Sequence, residues 1–171
     1  MIVQRLLVAA SFALAAPTAP AQEPPKPGPE HEILTRMVGT WDVTMKFAGA
    51  ESKGTAVYKT DLGGLWVAST FEGEVFGQKF TGRGFDSYDA GKKKYVGLWL
   101  DSMSTAPMLM EGDYDKEKKT LTMVGEGPGM DGKPTKHKTV TTFVDADTVN
   151  FAMYMGDAKE PAFTIAYKRK K

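Results

Sequence analysis

The stretch "RMVGTWDVTMKF", Arg36 to Phe47, decides the fold. From Thr40 onward Trp41, Val43, Met45 and Phe47 fall on one side of a two-residue period, and Asp42, Thr44 and Lys46 fall on the other. That is the pattern of a strand with one buried face. The residues just before it, "EHEILTRMV", keep a different period: Ile33, Leu34 and Met37 stand at helical spacing, acids occupy the first turn and Gly39 comes just after the end. This predicts one short helix over Glu30 to Val38 that covers one end of the fold built by the later residues, with His31 on its exposed-looking side.

Working outward, turn signals recur at short intervals: "AGAESKG", "DLGG", "FGQ", "DAGKK", "DKEK", "GPGMDGK", "DAD" and "MGDAKEP". The segments between them predict strands near 40–47, 53–61, 65–75, 78–88, 94–101, 106–114, 119–126, 135–144, 148–154 and 162–169. About ten strands joined by short connections, with a single helical pattern in front, predict an all-β fold: an antiparallel up-and-down barrel of about ten strands.

Residues 1–21 read as a secretory signal, with Arg5 at its start, "LLVAASFALAA" as its apolar core and Ala19-Pro20-Ala21 as its cleavage site. The apolar run is about half the roughly 20 residues that a spanning helix needs, so no membrane-spanning helix is expected in the mature chain. Residues 22–29, "QEPPKPGP", form a Pro-rich linker, and residues 30–171 a single barrel domain. The expected location is periplasmic or secreted. Without the signal and its one base, the 21 acids are matched by an equal number of bases. A neutral domain gives no electrostatic case for nucleic acid, whose binding depends on neutralising phosphates. There is no cysteine, so no disulfide can help. Stability must come from the core that a chain of this size can bury.

Turn length sets some registers, because residues opposite one another in a hairpin share a face. A two-residue turn at Phe76-Gly77 puts Glu74 opposite Lys79 and Thr70 opposite Arg83, which leaves Phe71, Phe80, Gly82 and Gly84 on the other face. A four-residue turn at Asp115 to Lys118 puts Met110 opposite Met123, with Met108 and Leu121 on the same inward face. Both faces of 94–101 are apolar, so alternation does not choose between Tyr95 and Trp99 on one side and Val96, Leu98 and Leu100 on the other. His137 turns inward with Thr139, Thr141, Phe143, Val149 and Met153 if the "DAD" loop has three residues, and outward if it has two.

A short helix and then Gly-x-Trp at the first strand resembles the entrance of the lipocalin and fatty-acid-binding-protein barrels. In that superfamily the Trp plugs the closed end and a late basic residue packs across its ring. The resemblance assigns those parts to Gly39, Trp41 and Arg169, the last of which alternates with Phe163, Ile165 and Tyr167 on the final strand. A wider set of motifs, "MVGTWDV", "DLGGLWV", "FTGRGFDSYDAGKKKYVGLWLDSM", "EGDYDKEKKTLTMVGE" and "VNFAMYM", resembles domain-of-unknown-function family 1579, calycin-like bacterial barrels. It implies the fold and no activity.

Little points to catalysis. There is no Cys and no Gly-x-Ser-x-Gly elbow, and no His is tied to a Ser and an acid. No His pair stands at ligand spacing to support a metal or haem, so no metal, cofactor or catalytic residue is assigned. Asp86 and Asp101 are the best inward carboxylates. They are expected to cap turns or bond backbone at the barrel end, the alternative being that they orient the polar head of a ligand. "DSMS" gathers Asp101, Ser102 and Ser104 at a rim and reads first as turn chemistry. Methionines recur in i, i+2 pairs, which suits either a packed core or an adaptable apolar cavity. The candidate lumen set is therefore Met108, Met110, Leu121, Met123, Phe71, Phe80, Trp99, Asp101 and Met153. The expected partner is a small apolar or amphipathic molecule. The alternatives are an enzyme working through Asp86, Asp101 or His137, and a barrel with only a structural or interaction role.

Overall fold

The computed structural model describes residues 23–171 apart from positions 76 and 130, so the signal and its cleavage site lie outside the described residues. A short helix, α1 (His31–Thr35), precedes ten strands: β1 (Gly39–Phe47), β2 (Ala50–Asp61), β3 (Trp66–Val75), β4 (Gln78–Asp89), β5 (Lys94–Asp101), β6 (Met108–Asp115), β7 (Thr120–Pro128), β8 (Pro134–Phe143), β9 (Thr148–Met155) and β10 (Phe163–Arg169). Each strand pairs antiparallel with the next, and β10 returns to β1 to close the barrel. Closure leaves no free sheet edge, which is how a meander of this length avoids edge pairing with other chains.

The β1–β10 register sets Trp41 against Arg169, Val43 against Tyr167, Met45 against Ile165 and Phe47 against Phe163. Tracing that row around the barrel places Ala56, Phe71, Gly82, Asp101 and their i±2 neighbours inside. Outside, Asp42, Lys46, Lys53, Glu72, Glu74, Lys79 and Arg83 carry the polar face. Over β1–β4 the wall is therefore largely apolar within and charged without. Among the described residues no helix is long and apolar enough to cross a membrane.

The end covered by α1 is sealed. Trp41 is fully buried, and its indole N–H donates to the Met37 carbonyl at 2.7 Å. Arg169 lies with its guanidinium carbon 4.2 Å from the centre of the Trp41 ring, while its nitrogens donate to the carbonyls of Val38, Arg36 and Ala146. Gly39 makes room for that guanidinium: its φ is +133°, and a Cβ there would stand 2.5 Å from Arg169 Nη1. The Gly39, Trp41 and Arg169 assignment is thus seen as one unit, with an arginine satisfying the open carbonyls after the helix.

Two expectations from the sequence need correcting. His31 is buried rather than exposed, because α1 lies across the barrel end and turns this side toward β4. Its Nδ1 accepts the Gly28 N–H at 3.1 Å, and its ring meets Tyr88 edge-on at 6.4 Å. The second is the β6–β7 register: Met110 faces Gly125, and Met123 faces Gly112. Asp115 remains the last paired residue of β6, its carboxylate accepting the amides of Glu117 and Lys118, so the turn occupies 116–119. A turn displaced by one residue shifts partners by two, which preserves the face, and Met108, Met110, Leu121 and Met123 still all point inward. The β3–β4 hairpin has the expected register, Glu74 with Lys79 and Thr70 with Arg83.

Candidate functional site

The interior is the candidate site. The pairing of Gly84 with Trp99 and of Gly82 with Asp101 resolves the ambiguous strand: Tyr95, Gly97, Trp99 and Asp101 face the lumen. Val96, Leu98 and Leu100 face outward, and Val96 and Leu98 join Trp66, Leu109 and Val124 around an outer depression of about 480 Å³ that Lys92 and Glu111 also line. The three-residue "DAD" loop, closed by the Val144 N–H to the Thr148 carbonyl, turns His137 inward opposite Gly125 and Met155. His137 is buried, and neither ring nitrogen has a hydrogen-bond partner among the described residues. A methyl group on Gly127 would stand 3.1 Å from Met108 Cγ and 3.3 Å from His137 Nε2, so thioether and imidazole share the space that this glycine leaves.

All nine predicted lumen residues face inward, but they divide in packing. Phe71, Leu121, Met123 and Met153 are buried. Phe80, Trp99, Met108, Met110 and Asp101 keep partial accessibility. Phe71 and Phe80 meet edge-to-face at 5.5 Å. The Trp99 indole lies against Gly82 and Gly84, where any Cβ on Gly82 would run into its ring. Bare backbone there admits the indole.

Asp101 behaves as the turn reading predicts. Its carboxylate accepts the Trp99 indole N–H and the Met103 amide, both at 2.9 Å. Ser102 Oγ accepts the Thr81 amide, and Ser104 bonds the Ala106 backbone. The rim polar side chains are spent on the Trp99 indole and on backbone groups. Asp86 departs from that expectation. It lies opposite Val67 and Gly97, one inward step beyond Tyr88 and Tyr95 toward the open end, and no side-chain hydrogen bond or ion pair reaches it among the described residues. Loss of solvent alone pushes its carboxyl from 3.8 up to about 7.

Two phenols that sequence reasoning did not place in the site stand within electrostatic reach of this acid. Burial pushes Tyr167 up to about 12, and burial, with the Tyr167 and Asp86 charges after it, raises Tyr58. Both are therefore neutral donors at ordinary pH. Their rings meet edge-on at 6.4 Å. The alternation Ala56-Val57-Tyr58 is apolar on both sides, so only closure of the sheet reveals which of these points inward.

Fold and interior together define an antiparallel calycin-like barrel with a sealed helical end and a lumen of aromatic and thioether side chains around one unpaired acid. The chain belongs to the family described as "Protein of unknown function (DUF1579)", which it matches over residues 26–169. No curated protein matches it. Among solved structures it is similar to Rv2717c from M. tuberculosis, with a TM-score of 0.58, 11% identity and coverage of 84% of this chain and 99% of that one. It is also similar to the S-type phycobiliprotein lyase CPES from Guillardia theta, with a TM-score of 0.56, 12% identity and coverage of 83% and 93%. At such identities the likeness is one of fold.

Proposed function

We propose that this chain is an exported barrel, periplasmic or secreted, whose lumen binds a small apolar or amphipathic molecule without catalysis. Export is supported by the order of positive start, apolar core and Ala-x-Ala site in residues 1–21. Binding is supported above all by one contrast within the inward rows. Trp41, Val43 and Ala56 show at most 2% of their surface, so backbone in this wall contributes little accessibility. Tyr58, Asp86 and Trp99 face the same interior, line neither depression of the outer wall and retain accessible surface, as side chains beside internal space do.

A solid core would bury these side chains as fully as it buries Trp41. Unbranched methionine adapts to whatever fills such a space. Asp101, Ser102 and Ser104 are held by the Trp99 indole and by backbone groups, so the geometry favours holding a molecule over transforming one. The test is titration of the purified mature protein with Nile red, a neutral apolar fluorophore. Blue-shifted emission that saturates, and that Met110→Lys abolishes with the far-ultraviolet spectrum unchanged, is the expected result. Absence of uptake, together with unfolding of Met110→Lys, would mean that this face is solid core.

A further inference from the structure

We propose that the lumen selects amphiphiles carrying a protonated amine, with Asp86 as the group that receives the cationic head and the phenols of Tyr58 and Tyr167 beside it. This rests on the lumen-binding reading above and adds the chemical class of the ligand. The reason begins with an inward carboxyl group that no hydrogen bond or ion pair reaches among the described residues. Taking a carboxylate out of water is costly unless a cation or several donors compensate. Asp86 has neither among the described residues.

Of the described strand residues that face inward, Arg169 is the one Arg or Lys, and its guanidinium is committed to Trp41 and three backbone carbonyls at the sealed end, while inward His137 stands four strands away from Asp86 along the row through Gly97, Met110 and Gly125. Arg36 stacks over Phe143 at that same end. Neither forms an ion pair with Asp86. The neighbours of the carboxyl on the strand side are apolar: Val67 stands opposite, and a methyl on Gly97 would lie 2.8 Å from Asp86 Oδ1 and 3.2 Å from Met123 Cε. The missing side chain of Gly97 is thus what gives the carboxyl and the Met123 methyl their room.

The position along the barrel also suits a head group. Asp86 stands one inward step from the Tyr88 and Tyr95 floor, which meet edge-to-face at 5.1 Å. Trp99 lines the interior one inward step farther toward the open end, and Met110 stands in the same row as Gly97 and Asp86. A chain entering head-first would set its ammonium against Asp86 and its apolar body against the indole and thioether. A fatty-acid carboxylate in the same place would set two anions side by side without a cation between them. The ammonium–carboxylate contact gains strength from the same low dielectric that makes the lone acid costly.

The test is displacement of Nile red at pH 8 by three ligands with the same tail: octylamine, octanol and octanoate. Octylamine is expected to displace the probe at a concentration at least tenfold lower than octanol, with octanoate weakest. In Asp86→Asn the amine should lose that advantage while Nile red still binds. Equal potency of amine and alcohol, preference for octanoate, or an amine preference that survives Asp86→Asn would each overturn the proposal while leaving the lumen-binding reading in place. If Nile red itself does not bind, the broader reading falls and this one with it. The comparison of the three ligands on the unaltered protein decides the matter even where the variant fails to fold.

Discussion

The guanidinium of Arg169 lies 4.2 Å from the centre of the Trp41 ring while the two residues face each other as paired positions of the first and last strands. This contact therefore joins the seam where β1 meets β10 to the seal at the helical end. A stacked guanidinium of this kind contributes about 0.5–2 kcal/mol, more as it is desolvated. Trp41→Ala should cost roughly 3–5 kcal/mol, the range for truncating a large buried aromatic. Arg169→Ala should cost less, and the double variant should cost less than the sum, as expected for touching groups. Denaturant unfolding of the four proteins measures the coupling, and strict additivity would remove the stack from the account.

Asp86 makes stability depend on pH in a definite direction. The unfolded chain releases this proton near 3.8 and the barrel holds it to about 7, so between those values the unfolded state binds fewer protons. Stability from this group is therefore fully present below about pH 4, falls as pH rises through 7 and levels off above. A shift of about three units corresponds to at most about 4 kcal/mol. Asp86→Asn should remove that slope and stabilise the ligand-free protein above pH 7. Urea midpoints measured from pH 4 to pH 8 read the difference.

Gly82 carries the Trp99 ring directly on its backbone. Gly82→Ala should displace the indole, shift its fluorescence and destabilise the barrel by about 1–3 kcal/mol, as overpacking does. Unchanged emission and stability in that variant would show that the ring has room elsewhere.

Export is checked at the N-terminus. The secreted or periplasmic protein should begin at Gln22, after cleavage behind Ala21, and N-terminal sequencing of that fraction reads it directly. A mature chain that retains Met1 would contradict this.

Much of the fold was legible because the chain punctuates itself. Each of the ten segments between turn signals became a strand, since short turns in an antiparallel meander leave few other pairings. The face of each strand was legible where one side was polar, as in Asp42-Thr44-Lys46. It was not legible for 94–101, because Val96, Leu98 and Leu100 form an apolar outer surface that mimics a second core face. The β6–β7 partners were shifted by two because Asp115 is equally at home as a turn residue and as the strand end that caps the turn. His31 was misplaced because a helix of five residues has no polar face of its own, and the barrel end beneath it decides which side is covered. Asp86 could be read as inward from the alternation of Phe80, Gly82 and Gly84. That it lacks a partner could not, since partners arrive from strands distant in sequence.

The most direct test of the central claim is native mass spectrometry of the protein purified from its own host. The account expects a species heavier than the mature polypeptide by one small molecule, released on collisional activation and absent from Met110→Lys. A spectrum containing the bare polypeptide alone, from protein that also takes up no Nile red, would contradict it.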